Sequence, residues 1–174
     1  RRLAIQVPFQ HGKSTIIEMF VARALGIDPS LRVVNATYNV EFARTRIDNV
    51  QRWMSHAAYL SAFATRFGAA ASVDEETAAK KRLNSAPDKV QNSSNLFQVR
   101  HVGESGRVDN RGGMFLSTSL GSGLNGRPYE IGIIDDPHKD EEAAASAVER
   151  QHVEERYDTI FESREQARSV QIFV

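Results

Sequence analysis

The sequence predicts an α/β fold, a mostly parallel central sheet flanked by helices. Three observations carry that expectation. Short apolar runs alternate with amphipathic helical stretches from the first residues onward, as in strand–helix–strand units. The first unit turns on Gly12-Lys13-Ser14, and a later apolar run ends in Asp135-Asp136-Pro137.

Taken in order, Leu3-Ala4-Ile5-Gln6-Val7 is an apolar run of the kind that forms a buried parallel strand. Pro8 to Thr15 break it, and Ile16, Ile17, Phe20, Val21 and Ala24 then recur at helical spacing until Gly26 and Pro29. Residues 32–37 read as a second strand, and residues 40–56 as a helix. Its buried stripe is Ala43, Ile47, Val50 and Met54, with Trp53 beside it. Tyr59, Leu60, Phe63 and Phe67 suggest a short helix, and residues 72–95 are polar, with a turn at Ser85-Ala86-Pro87-Asp88. Residues 96–101 and 114–120 alternate as strands joined by a turn across residues 103–113. Gly121-Ser122-Gly123-Leu124-Asn125-Gly126-Arg127, read alone, is an interstrand loop ending on a cation. Residues 129–134 form a further buried strand. Asp140 is placed to cap a helix with Glu141 and Glu142 in its first turn. That helix runs to about Arg164 on a packed face of Val153, Tyr157, Ile160 and Phe161, before a last strand at residues 169–174.

Composition narrows the class. A chain of 174 residues with 41% hydrophobic and 25% charged content is expected to be one globular domain with a proper core. Twenty-two basic residues balance 22 acidic ones, so there is no global footprint for nucleic acid, only a local patch such as Lys80-Lys81-Arg82. The absence of cysteine excludes disulfides and thiolate metal sites and fits a reducing compartment. No apolar run reaches the roughly 20 residues of a membrane span. Arg1-Arg2 runs straight into a strand, without a signal peptide, and Gln171-Ile172-Phe173-Val174 ends in one, so both ends read as cut from something longer. His56, His101, His138 and His152 do not share a metal-ligand spacing and read as isolated.

The chemistry lies in two places. Gly-Lys-Ser between a strand and a helix is the core of a phosphate-binding loop. The free N–H groups and positive dipole end of the helix suit phosphate oxygens. Gly12 lets the backbone come close, Lys13 would reach the β/γ-phosphates, and Ser14 would ligate Mg²⁺. Gln10, His11, Gly12, Lys13, Ser14 and Thr15 are thus the candidate ATP-contacting residues. The strict motif has a glycine five residues before Gly12, where this chain has Val7, so an ordinary strand–turn–helix with a solvated Lys13 is the competing reading. The second place is the strand that ends in two carboxylates, a costly arrangement to bury unpaired. Strand alternation sends Asp135 and Asp136 in different directions, so one can hold Mg²⁺ while the other orients an attacking water. Together the two signals point to a P-loop NTPase of the RecA-like (ASCE) type.

The combination resembles the ATPase domain of the large terminase subunit, the motor that packages DNA into tailed-phage capsids. The family's first motif often lacks the leading glycine and reads Pro-x-x-His-Gly-Lys-Ser, as residues 8–14 do here. Thr37-Tyr38-Asn39 matches the close of its next strand. The glycine-rich loop ending Asn125-Gly126-Arg127, followed by Ile133-Ile134-Asp135-Asp136-Pro137, matches its most specific feature, and residues 140–146 fit as well. The resemblance implies Lys13 and Ser14 as phosphate and Mg²⁺ ligands, Asp135 as the Mg²⁺ carboxylate and Asp136 as catalytic base. Arg127 becomes a candidate phosphate sensor or intersubunit arginine.

It further implies a single ATPase domain over residues 1–174, an excised core without the coupling motif, the nuclease domain or the upstream adenine contacts. It implies a homo-oligomeric ring acting on double-stranded DNA, with portal protein and small terminase subunit as partners. It implies no membrane partner and, as the site of action, the host cytoplasm at the procapsid portal vertex. One departure bears on chemistry: the family often has arginine where this chain has Gln10, so a cation must come from elsewhere or hydrolysis is slow. A helicase-like P-loop ATPase and a nucleotide-binding assembly module without turnover are the alternatives.

Overall fold

A computed structural model describes residues 1–6, 8, 11–67, 92–93, 95–103, 108–120 and 128–174. In chain order its elements are β1 (Arg2–Ala4), α1 (Lys13–Ile27), β2 (Arg32–Thr37), α2 (Val40–Ser55), α3 (Ala57–Ala62), β3 (Thr65–Phe67) and β4 (Asn92–Ser93). There follow β5 (Leu96–Val102), β6 (Val108–Asp109), β7 (Met114–Ser119), β8 (Tyr129–Ile134), α4 (Glu141–Ala145), α5 (Ala147–Arg156) and β9 (Glu165–Phe173). A π turn, Tyr157–Phe161, and a 3-10 turn, Glu162–Arg164, lead from α5 into β9.

The sheet runs β1-β9-β8-β2-β7-β5-β3, with β4 and β6 also paired to β5. From β1 to β7 every pairing is parallel, and β5 adds an antiparallel margin. The expected mostly parallel α/β sheet is therefore the one observed. β2 is central, and its residues after Arg32 are all buried, as for a strand covered on both faces. Neighbouring residues divide between two cores because side chains alternate along a strand. Val33, Phe115 and Ile133 pack with Ile17, Val21 and Leu25 of α1 and with Ile47, Val50 and Met54 of α2. Val34, Leu116 and Ile134 pack on the other face with Tyr129 and Phe161.

α2 follows its predicted stripe: Ala43, Ile47, Val50 and Met54 are all buried. Asn39 starts the helix, its side-chain oxygen accepting from the N–H groups of Glu41 at 2.6 Å and Phe42 at 3.1 Å.

Several expectations are corrected. β1 is parallel but not buried; it forms the sheet margin, and Leu3 is 51% exposed. Among the described residues no strand lies beyond β1, and α1 is covered on one side only. Its buried face is Ile17, Glu18, Val21, Ala22 and Leu25, while Ile16 and Phe20 are exposed. Phe67 belongs to β3 rather than to the short helix, and β6 interrupts the turn expected across residues 103–113. The long helix to Arg164 is broken at Ser146, whose hydroxyl accepts from Glu149 N–H and restarts the chain as α5. Arg150 donates to the carbonyls of Ala144 and Ala145 at 2.9 and 2.6 Å, satisfying the end of α4. β9 begins at Glu165, earlier than expected. The turn expected at residues 85–88 and the loop at residues 121–127 lie outside the described residues.

Candidate active site

The site forms where the N-terminus of α1 meets the C-terminal end of β8. Gly12 is the N-cap of α1 at φ +75°, in left-handed backbone that a glycine adopts without cost. Among the described residues no side chain caps this end, and the first turn carries no acidic residue. The first intrahelical bond runs from Ile16 N–H to the Gly12 carbonyl at 2.9 Å, so the N–H groups before it face outward. His11, Gly12 and Thr15 are exposed, and Lys13 and Ser14 half-buried. Gln10 and Arg127 lie outside the described residues.

Just past the end of β8 the two carboxylates part, as the alternation along the strand suggests, although Asp136 itself has left extended backbone. Asp135 turns inward and is 1% exposed; its N–H still bonds the Ala36 carbonyl of β2 at 2.9 Å. Asp136 turns outward, with a side chain 46% exposed, and sits at φ +46°, the one non-glycine with positive φ among the described residues. Its carbonyl accepts from Tyr38 N–H at 3.3 Å, which ties the end of β8 to the loop after β2. Lys13 Nζ reaches Asp136 Oδ1 at 3.2 Å.

A second cluster lies beneath this pair. Arg46 of α2 spreads its guanidinium over three acceptors. Nη2 donates to Ser14 Oγ at 2.7 Å and lies 2.9 Å from Asp135 Oδ2, while Nε donates to the same Oδ2 at 3.1 Å. Nη1 donates to Glu18 Oε1 at 2.8 Å, and Asn49 Nδ2 donates to that oxygen at 2.9 Å. Glu18 is 4% exposed, so α1 and α2 are locked by an ion pair out of water. Burial pushes the Asp135 carboxyl above the usual carboxylate range; Arg46 pulls it down and Asp136 pushes it up again. Asp135 Oδ1 is buried without a hydrogen-bond partner among the described residues. A buried carboxylate oxygen with spare acceptor capacity beside a serine hydroxyl is the donor set that a hard divalent cation prefers.

Arg46 and Glu18 were not singled out from the sequence, although a signal was there. Arg46 follows Ala43 by three residues and precedes Val50 by four, so the predicted stripe of α2 already placed a cation on the core face. A charge in that position needs a buried partner. Arg46 also supplies a cation beside Ser14.

Fold and site together define a mostly parallel α/β domain in which β1, the strand before α1, is separated from β8 by β9. No family model matches the sequence, and no curated protein matches it in sequence comparison. Among solved structures, the fold is similar to the large terminase ATPase domain of Thermus phage P74-26, both as that domain and as an arginine-to-alanine mutant of it. Each shares 16% identity at a TM-score of 0.50, over 99% of this chain and 58% of the matched one. The chain thus has the fold of a large terminase ATPase domain and spans a little over half of the matched chains.

Proposed function

We propose that the chain binds and hydrolyses ATP as a terminase-type motor domain, residues 1–174 forming one ATPase unit. The observation that carries the reading is the convergence of an uncapped, glycine-led helix N-terminus with Lys13, Ser14, Asp135 and Asp136 in one place. In this reading the N–H groups of α1 and Lys13 bind the β/γ-phosphates, with His11, Gly12, Thr15 and Gln10 lining the loop. Ser14 and Asp135 would hold Mg²⁺, which when bound supplies positive charge against the phosphates. Asp136, half-exposed at the lip, orients the attacking water and accepts its proton. Arg127 completes the charge, as a phosphate sensor or as an arginine facing a neighbouring subunit.

Translocation of double-stranded DNA into a procapsid, a homo-oligomeric ring, contacts with portal protein and small terminase subunit, and action in the host cytoplasm belong to the same proposal. They rest on the fold likeness and on the residues 8–14 and 121–137 that resemble the terminase motifs. Among the described residues no helix is long and apolar enough to cross a membrane.

Calorimetric titration with ATP, with and without Mg²⁺, tests the site. Binding by the parent that is lost in both Lys13→Ala and Asp135→Ala supports it, and a parent that binds nothing at millimolar ATP refutes it. Phosphate release stimulated by double-stranded DNA is expected of a packaging motor. Strand unwinding would point to a helicase-like ATPase, and binding without release to an assembly module.

A further inference from the structure

Of the oxygens assigned above to the divalent cation, Arg46 already holds Ser14 Oγ and Asp135 Oδ2, while Asp135 Oδ1 has no hydrogen-bond partner among the described residues. One nitrogen, Nη2, reaches both Ser14 Oγ and Asp135 Oδ2, so those two oxygens are neighbours across a single cationic atom. The Arg46 side chain is only 11% exposed, and its charge is committed to Asp135 on one side and Glu18 on the other. A divalent cation drawn to Ser14 Oγ and the open Oδ1 would stand beside this guanidinium in a partly buried site, where the repulsion between two cations is poorly screened.

We propose that Arg46 is the resident counter-cation of the Ser14–Asp135 pair, and that a divalent cation enters by exchange with it. This rests on the nucleotide-site reading above. The fork leaves Asp135 and Ser14 but keeps its Nη1 bond to Glu18, a buried carboxylate that needs a cation and is also held by Asn49. Arg46 is therefore a positioning residue. It keeps the two oxygens in place before the metal arrives, weakens metal binding by competing for them, and passes the exchange to α2.

The role is opposite in sign to plain structural support. If Arg46 only held the site together, removing it would loosen the oxygens and weaken metal binding. If it competes, removing it leaves two buried carboxylates for the metal to neutralise, and metal binding tightens.

Mn²⁺ binding measured by electron paramagnetic resonance, at saturating ADP, separates these for the parent, Arg46→Gln and Arg46→Lys. ADP affinity in EDTA is measured alongside. Arg46→Gln is expected to bind Mn²⁺ about tenfold tighter or more, the scale of a lost charged hydrogen bond. Arg46→Lys keeps the charge without the fork and falls between, while ADP binding in EDTA changes less than metal binding. Equal or weaker Mn²⁺ binding in Arg46→Gln overturns the proposal. Should the variants fail to fold, the Arg46 Nε–H is followed by nitrogen-15 NMR in the unsubstituted protein. Its slow exchange in EDTA is expected to be lost on adding Mg²⁺ and ADP, and an unchanged signal overturns the proposal. A parent that binds no Mn²⁺ with ADP overturns this inference together with the nucleotide-site reading. A parent that binds with no tightening in Arg46→Gln overturns the inference alone.

Discussion

Lys13 and Asp136 lie 123 residues apart in the chain and 3.2 Å apart in space. The strands that lead to them are not neighbours, since β9 runs between β1 and β8. The pair joins the first turn of α1 to the end of β8 at an edge open to solvent, with side chains 22% and 46% exposed. A phosphate arriving at α1 would compete with Asp136 for the ammonium group, so ligand binding and the freeing of Asp136 are one event.

Lys13→Ala is accordingly expected to separate affinity from stability. Loss of a charged hydrogen bond to phosphate should weaken Mg-ATP binding roughly ten- to hundredfold, read by calorimetry. A partly exposed pair contributes about 1 kcal/mol at most, so the urea midpoint should barely move. A collapse of the midpoint would make Lys13 a structural residue instead.

Asp136 stores backbone strain where the chemistry is proposed. Its φ of +46° disfavours an L side chain by about 1–2 kcal/mol. Asp136→Gly should therefore raise the melting temperature by about 2–4 °C or somewhat more while abolishing phosphate release. Asp136→Asn tolerates the same backbone and should lose release without the gain. A glycine variant that melts lower would show that the Lys13 contact outweighs the strain.

Gly132, in β8 three residues before Asp135, has no room for a methyl group. A Cβ there would lie 2.6 Å from Phe161 Cε1 and 2.7 Å from Tyr129 Cε2, both rings of the core. Gly132→Ala is expected to destabilise by about 1–3 kcal/mol through overpacking, measured by chemical denaturation. An unchanged denaturation curve would mean that the two rings give way freely.

Behind the same strand runs a buried polar chain. Tyr129 donates to the Phe161 carbonyl at 2.9 Å, Gln171 Nε2 donates to Tyr129 Oη at 3.1 Å, and Tyr157 donates to Gln171 Oε1 at 2.6 Å. Tyr129→Phe keeps the volume and removes both hydrogen bonds of the hydroxyl, so unfolding should become easier by about 1–3 kcal/mol. A neutral substitution would show that the chain is not held together by that hydroxyl.

The central elements were legible in the sequence because burial leaves its pattern there, an apolar run in a strand covered on both faces and a helical stripe where one face is covered. β2, β8 and the stripe of α2 were each readable for that reason. What escaped depended on neighbours that local sequence does not name. β1 has an apolar run but lies at the sheet margin, so Leu3 is exposed and the apolar residues of α1 are split between a covered and an open side. Alanines 143–145 favour a continuing helix, yet the Ser146 cap and the Arg150 side chain end it. At the site, the residue types at positions 13, 14, 135 and 136 were visible, whereas Arg46 and Glu18 meet only through the packing of α1 against α2.

β9 carries none of the side chains assigned to the chemistry, yet it acts as the gauge block between the two jaws. Its end is pinned on both sides, by Ile5 N–H to the Phe173 carbonyl at 2.8 Å and by Val174 N–H to the Ile134 carbonyl at 2.9 Å. Two strand spacings, about 10 Å in all, therefore fix how far the β1 side stands from the β8 side. A backbone shift in β9 would reset that opening with every proposed ligand still present, so an inactive variant need not have lost a single reactive group.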